Sequence, residues 1–245
     1  MESLPVFVIT LRRDQDRVNN VAKNVISALP ECEIFSAIDG QSLNISEACA
    51  EYSIPQEFFK KPGAKGNLGC ALSHFHLLKM VVERKYEKVI IFEDDIKVPE
   101  DFRNKLSLVL DEVPDNFDFL YLWVHPKYRH QDDSNFLVPG KSYVRKYSYT
   151  YGTSAYLVTF EGAKKIVKYF SRSVYDYVDF MVSDLIASGG LTTYMTRNSL
   201  VDNLGQLTAI EDGEILKSNI RPQSFRSKVS RFLLRISRKL FKSIT

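Results

Sequence analysis

Residues 88–98 read KVIIFEDDIKV, an apolar run that ends in three consecutive carboxylates, Glu93, Asp94 and Asp95. Strand interiors avoid Asp, and neighbouring negative charges repel one another. Three acids at a strand tip are therefore costly unless something positive gathers there. Side chains alternate along a strand, so Glu93 and Asp95 share one face and Asp94 points to the other. An acid-x-acid pair of this kind offers the oxygens that a hard divalent cation, Mg²⁺ or Mn²⁺, accepts while it shares the rest of its shell with water or phosphate. The competing reading is a solvated acidic turn with no ligand.

A second constellation is GAKGNLGCALSHFHLLK, residues 63–79. A loop with glycines and Lys65 opens a helix that carries Ser73, His74 and His76. Glycines permit close backbone approach, and a helix N-terminus attracts anions. The spacing fits neither a Walker loop nor a dinucleotide fingerprint. A lone helical histidine such as His74 is also a common structural residue.

These groups need a scaffold, and the pattern around them supplies one. PVFVITL (5–11), CEIFSAIDG (32–40), KVIIFED (88–94), FDFLYLWV (117–124) and SYTYGTSAYLVT (148–159) read as strands. Helical spacing runs through 12–29, 68–85, 100–113 and 160–171. Residues 46–67, with Pro55, Pro62, Gly63 and Gly66, read as irregular, and 126–142 as a polar loop. Strands that are continuous apolar runs and alternate with helices predict an α/β fold with a mostly parallel sheet covered on both faces. Ligands then bind outside the carboxyl ends of the strands, where the acidic triplet lies.

The net charge of +3 conceals a division. From Lys217 onward there are nine Lys and Arg and no acids, so residues 1–216 carry a net charge of −6. That segregation argues against a nucleic-acid-binding body. The expected organisation is one domain over 1–215 and a basic tail over 216–245. In the tail, Phe225, Val229, Phe232, Leu233, Ile236, Leu240 and Ile244 recur at helical spacing, and Lys228, Arg231, Arg235, Arg238 and Lys242 recur displaced around the helix. A basic amphipathic helix over 222–245 is the expected result, lying on an anionic membrane surface. No apolar run of the length that spans a bilayer is present, and Met1 leads directly into a strand with no signal-like segment. Cys32, Cys49 and Cys70 have no metal-ligand spacing in sequence and suit a reducing compartment.

Taken in order, FVITLRRDQDR, FSAIDG, NLGCALSHFHLLK, VIIFEDDIKV, YGTSAYLVTFEGAKKI and VDFMV resemble glycosyltransferase family 25 over about residues 5–210. The family includes bacterial lipooligosaccharide galactosyltransferases and animal collagen galactosyltransferases. The resemblance implies a GT-A-like fold, a UDP-sugar donor (most often UDP-galactose), Mn²⁺ or Mg²⁺, and inversion to a β-linkage. It implies donor-diphosphate contacts at Glu93, Asp94 and Asp95, and basic positions at Arg12 and Arg17. It further implies donor-site roles for Asp39, Gly40, Gly69, Ser73, His74 and Gly152, with Cys70 and Ala155 in the same motifs. Thr10 stands where the family often has Asn. Loop 126–146 is individual and suits acceptor specificity.

Physics and resemblance converge on one chemistry. Asp95 and Glu93 hold a metal that neutralises the departing nucleoside diphosphate, and Lys65 or Arg12 adds a positive contact. A carboxylate within hydrogen-bond reach of the acceptor hydroxyl acts as base. Asp179 is the candidate, with Asp184 and Asp202 behind it; a surface helix cap is the alternative for Asp179. The expected partners are a UDP-sugar, a lipid-linked oligosaccharide of lipopolysaccharide biosynthesis and the cytoplasmic face of the inner membrane. The rival readings are a sugar-1-phosphate nucleotidyltransferase, which would need a glycine-rich loop after strand one, and a non-catalytic carbohydrate-binding or adhesion protein.

Overall fold

A computed structural model describes residues 4–124, 140–146 and 152–205, all within the unit Met1–Ile210. The expected tail helix, the boundary at 215/216 and most of loop 126–146 lie outside the described residues. In chain order the strands are β1 (Val6–Thr10), β2 (Glu33–Ser36), β3 (Lys88–Glu93), β4 (Ile96–Lys97), β5 (Phe119–Tyr121), β6 (Val144–Lys146), β7 (Ala155–Thr159), β8 (Thr193–Thr196) and β9 (Asp202–Asn203). The α-helices are α1 (Gln15–Val21), α2 (Ile45–Tyr52), α3 (Ala64–Glu83), α4 (Phe102–Glu112), α5 (Phe160–Phe170) and α6 (Val178–Ala187). A π-helical turn, Ala22–Ile26, continues α1, and a 3₁₀ turn, Gln56–Lys60, precedes α3.

Seven strands form one sheet in the order β2-β1-β3-β7-β5-β8-β6. The expectation of a mostly parallel sheet is corrected here. β1 is parallel to β2 and β3, and β5 to β8, but β7 runs antiparallel to both β3 and β5, and β6 antiparallel to β8. The sheet is mixed. A continuous apolar run reports burial on both faces, not strand direction: β7 buries Tyr156 and Val158 on one side and Ala155 and Leu157 on the other.

Alternation along β3 organises the core. Val89 and Ile91 pack with α3, α5 and α6 on one face, while Ile90 and Phe92 pack with α1 and α4 on the other. Continuing that alternation past Phe92 sends Glu93 toward α3 and Asp94 toward α1. The second, two-stranded sheet joins β4 antiparallel to β9 and pairs Ile96 with Asn203. It folds the Leu200–Gly205 segment over the acidic turn.

The segment 46–67 is another correction: it is not irregular. Asn44 caps α2, accepting from the Ser46 and Glu47 amides and donating to the Glu47 carboxylate at 2.7 Å. That reciprocal cap starts a helix ahead of the Pro and Gly residues that suggested a loop. Likewise α3 begins at Ala64, so Lys65 and Gly66 lie in its first turn rather than in a loop.

Gly40 and Gly69 join the exit of β2 to α3 by backbone contact. A Cβ on Gly40 would lie 1.7 Å from the Lys65 carbonyl oxygen, and one on Gly69 2.5 Å from that of Ile38. Ser73 completes the joint, accepting from the Ile38 amide at 2.8 Å and donating to the Gly69 carbonyl at 2.6 Å. Gly40→Ala should therefore lower stability by on the order of 3 kcal/mol. Gly189→Ala, at φ +77 with nothing within 4 Å of its Cβ, should cost only about 1 kcal/mol. Urea unfolding of the two variants checks the difference.

Candidate active site at the tip of strand β3

The three acids face three different elements. Asp94 is 4% exposed and forms an ion pair with Arg17 of α1. Arg17 also meets Asp14, the N-cap of its own helix, at 3.3 Å. Thr10 is buried beside Asp94, and Asn20 donates to the Asp94 carbonyl at 2.6 Å. Burial pushes the Asp94 carboxyl up, and Arg17 opposes that push.

Glu93 turns to the opposite face. Thr153 donates to its Oε1 at 2.6 Å, and His74 Nε2 lies 3.3 Å from the same oxygen. Burial acts to raise the Glu93 carboxyl, but His74, Thr153 and Arg17 outweigh it and hold it below the usual range. His74 is fully buried, and its Nδ1 shares a hydrogen bond of 2.9 Å with the Tyr156 hydroxyl.

Asp95 sits between the main sheet and β9. Asn203 donates to its Oδ2 at 3.1 Å, and the Leu204 amide to its carbonyl at 2.7 Å. Burial, then the charge on Glu93, raise its carboxyl to about 6. Its Oδ1 is buried and makes no hydrogen bond among the described residues. An orphaned, buried carboxylate oxygen beside a second carboxylate fits a divalent cation, which would neutralise both. The residues that would hold it are Asp95 and Glu93.

Asp179 is half-buried in the first turn of α6. Its Oδ1 accepts from the Phe180 amide at 2.9 Å and its Oδ2 from the Gly152 amide at 3.4 Å. Burial first, with Glu93 and Asp176 adding to it, raises the carboxyl to about 6. Asp179 also bears on Cys70 and Tyr121, so it faces the same interior as Glu93. Gly152, at φ +94, lies against Trp123: a Cβ there would come within 2.6 Å of the indole ring. The backbone that reaches Asp179 thus requires glycine on two grounds.

Glu93, Asp94, Asp95, Arg17, Thr10, His74, Gly152 and Asp179 converge. The other expected residues do not join them. Arg12 and Lys65 are exposed. Asp39 pairs with Arg13 at 2.7 Å and accepts from the Gln41 amide. Gly40, Gly69 and Ser73 knit β2 to α3, as described above. Asp184 accepts from the Tyr175 hydroxyl at 2.8 Å on an exposed part of α6, and Asp202 is exposed on β9. Thr153, Tyr156, Asn203 and Trp123 are site residues that sequence reading passed over. Thr153 follows Gly152 of the YGTSAYLVT motif; Asn203 carries no signal in sequence, because only the β4–β9 pairing brings it to Asp95.

The fold and these groups define an α/β protein with an acidic, partly buried site at the carboxyl end of a central strand. Residues 3–182 match the family described as "Glycosyltransferase family 25 (LPS biosynthesis protein)". The chain belongs to glycosyltransferase family 25. It is 29% identical over 170 residues to human "Procollagen galactosyltransferase 2", covering 66% of this chain and 27% of that protein. It is 30% identical over 176 residues to bovine "Probable inactive glycosyltransferase 25 family member 3", covering 66% and 28%. The chain thus spans about a quarter of the length of these curated relatives. A crystal structure of the galactosyltransferase LgtC with donor and acceptor sugar analogs superposes with a TM-score of 0.39 at 13% identity, covering 78% of this chain and 73% of that one.

The Arg17–Asp94 pair should be structurally costly to break from one side. Arg17→Ala leaves a buried carboxylate without its cation and should destabilise by about 3 kcal/mol. Adding Asp94→Asn should recover part of that loss in a double-mutant cycle followed by chemical denaturation.

Proposed function

We propose that this chain transfers a hexose, galactose in the first instance, from a UDP-sugar to a saccharide acceptor, with inversion to a β-linkage and a GT-A-like use of the strand-β3 edge. The observation that carries the reading is the buried Asp95 Oδ1, without a hydrogen bond among the described residues, close to the charge of Glu93, which also bears on Asp179, in a family 25 chain. The galactosyltransferase named among its relatives supports galactose as the sugar.

The division of labour follows from the environments. Mn²⁺ or Mg²⁺, held by Asp95 and Glu93, would supply charge neutralisation for the leaving diphosphate. Thr153 and His74 fix the Glu93 carboxylate, and Asn203 fixes that of Asp95, so neither has to be oriented when donor binds. Asp179 takes the proton of the acceptor hydroxyl as that oxygen attacks the anomeric carbon opposite the departing UDP. Trp123, against Gly152, sits beside the backbone that orients Asp179 and suits contact with an apolar sugar face.

The same proposal includes the acceptor and the location. A lipid-linked oligosaccharide of lipopolysaccharide biosynthesis, met at the cytoplasmic face of the inner membrane, is supported by the basic amphipathic pattern of 222–245. No helix among the described residues is long and apolar enough to cross a membrane. Co-sedimentation with anionic liposomes should be lost when the chain is cut after Lys217; retention by the shortened chain would remove the anchor.

The central test is UDP release from UDP-galactose with Mn²⁺, in a screen that also includes UDP-glucose, UDP-GlcNAc and UDP-GalNAc. Asp95→Asn should abolish metal-dependent turnover, and Asp179→Asn should cut kcat by roughly 10²–10⁴-fold with UDP affinity retained. No turnover with any donor would overturn the transferase reading. The base works only when ionised, and its carboxyl is raised to about 6. Activity should therefore rise with pH through about 6 and level off above it; a profile flat across that range would remove Asp179 as base.

A further inference from the structure

One turn of α3 presents two more ligand-type groups to the acidic tip. Cys70 and His74 are four residues apart, so their side chains share a helix face. One ligand atom from each of Cys70, His74 and Glu93 lies within 4.8 Å of the others. We propose that Cys70, His74 and Glu93 form a binding site for a thiophilic divalent cation of the Zn²⁺ class, separate from the hard-cation position at Asp95 and sharing Glu93 with it.

Four observations support the site. The first is spacing. In tetrahedral zinc coordination, imidazole nitrogen and carboxylate oxygen ligands stand about 3.3 Å apart, and His74 Nε2 lies 3.3 Å from Glu93 Oε1. The second is an unmet requirement. His74 is fully buried, and its Nε2 meets Glu93 Oε1 only as an ion-pair contact at 3.3 Å, without hydrogen-bond geometry to any of the described residues. The third is orientation from behind. The Tyr156 hydroxyl holds His74 Nδ1 at 2.9 Å, and Thr153 holds Glu93 at 2.6 Å, the kind of outer contacts that fix metal ligands in place. The fourth is the donor set. Thiolate, imidazole and carboxylate together select zinc over magnesium or manganese, and three protein ligands leave a fourth position for water or substrate.

The Cys70 thiol is pushed well above its usual range by burial, with Glu93 and Asp179 adding to it. The metal-bound form is the thiolate, so the proton on sulfur leaves as the S–metal bond forms. Sharing Glu93 has a consequence that rests on the transferase reading above. A zinc ion held at the thiol side takes up the Glu93 carboxylate that the Asp95 position shares, so Zn²⁺ opposes the Mn²⁺-supported reaction.

The test reads the metal directly and needs no turnover. The full chain, reduced with a phosphine and stripped of metal, is titrated with Co²⁺ and then Zn²⁺. A thiolate-to-cobalt charge-transfer band should appear and be displaced by zinc. Cys70→Ser should abolish the band and weaken zinc binding at least roughly tenfold. Cys32→Ser and Cys49→Ser should leave both unchanged. X-ray absorption of the zinc-loaded wild-type chain should show one sulfur in a shell otherwise of nitrogen and oxygen, which checks the site without any variant. Absence of the band, its survival in Cys70→Ser, or a zinc shell without sulfur would each overturn the site.

Discussion

Everything at the tip of β3 follows from the cost of burying like charges side by side. Glu93, Asp94 and Asp95 follow one another in sequence, and none can be left both buried and unpartnered. The strand solves this by sending each acid to a different element. Asp94 crosses to Arg17 on α1, Glu93 to His74 on α3 and Thr153 before β7, and Asp95 to Asn203 on β9. The acids therefore act as a junction. Elements that are distant in the chain are held to one strand end because a carboxylate there needs them.

The same junction sorts the acids chemically. Glu93 is held below the usual carboxylate range, while Asp95 and Asp179 are raised to about 6. Groups of one chemical type, placed in environments that drive their proton affinities apart, can take different roles in one reaction. Asp94, tied to Arg17, serves the scaffold. Glu93 and Asp95 suit a cation, and Asp179, near them but on another element, suits a proton.

The helix α3 shows how a single motif can face two parts of the fold at once. Gly69 and Ser73 on one side of its first turns lock β2 and the Asp39–Gly40 corner to the helix. Cys70 and His74 on another side face the acids. In sequence these four residues form one block. In the fold, the 100° step between successive helical residues divides them into a pair that meets the β2 exit and a pair that faces the acids.

Much of this was legible without coordinates. The acidic triplet, its position at the end of a buried strand and the opposition of Asp94 to Glu93 follow from residue order and the two-residue period of a strand. So does the placement of helices over both faces, because runs such as VIIF have no polar side. Family membership was readable from motif order. Tertiary structure alone decided strand direction: β7 reads as any buried strand, and its antiparallel insertion between β3 and β5 depends on how the chain returns to the sheet. It alone brought Asn203 to Asp95, across 108 positions, and set Thr153 on Glu93. It also separated Asp179 from Asp184 and Asp202, acids indistinguishable by type. Local pattern records which face of an element is buried, whereas the partners of a buried charge come from remote segments, and their meeting is set by packing.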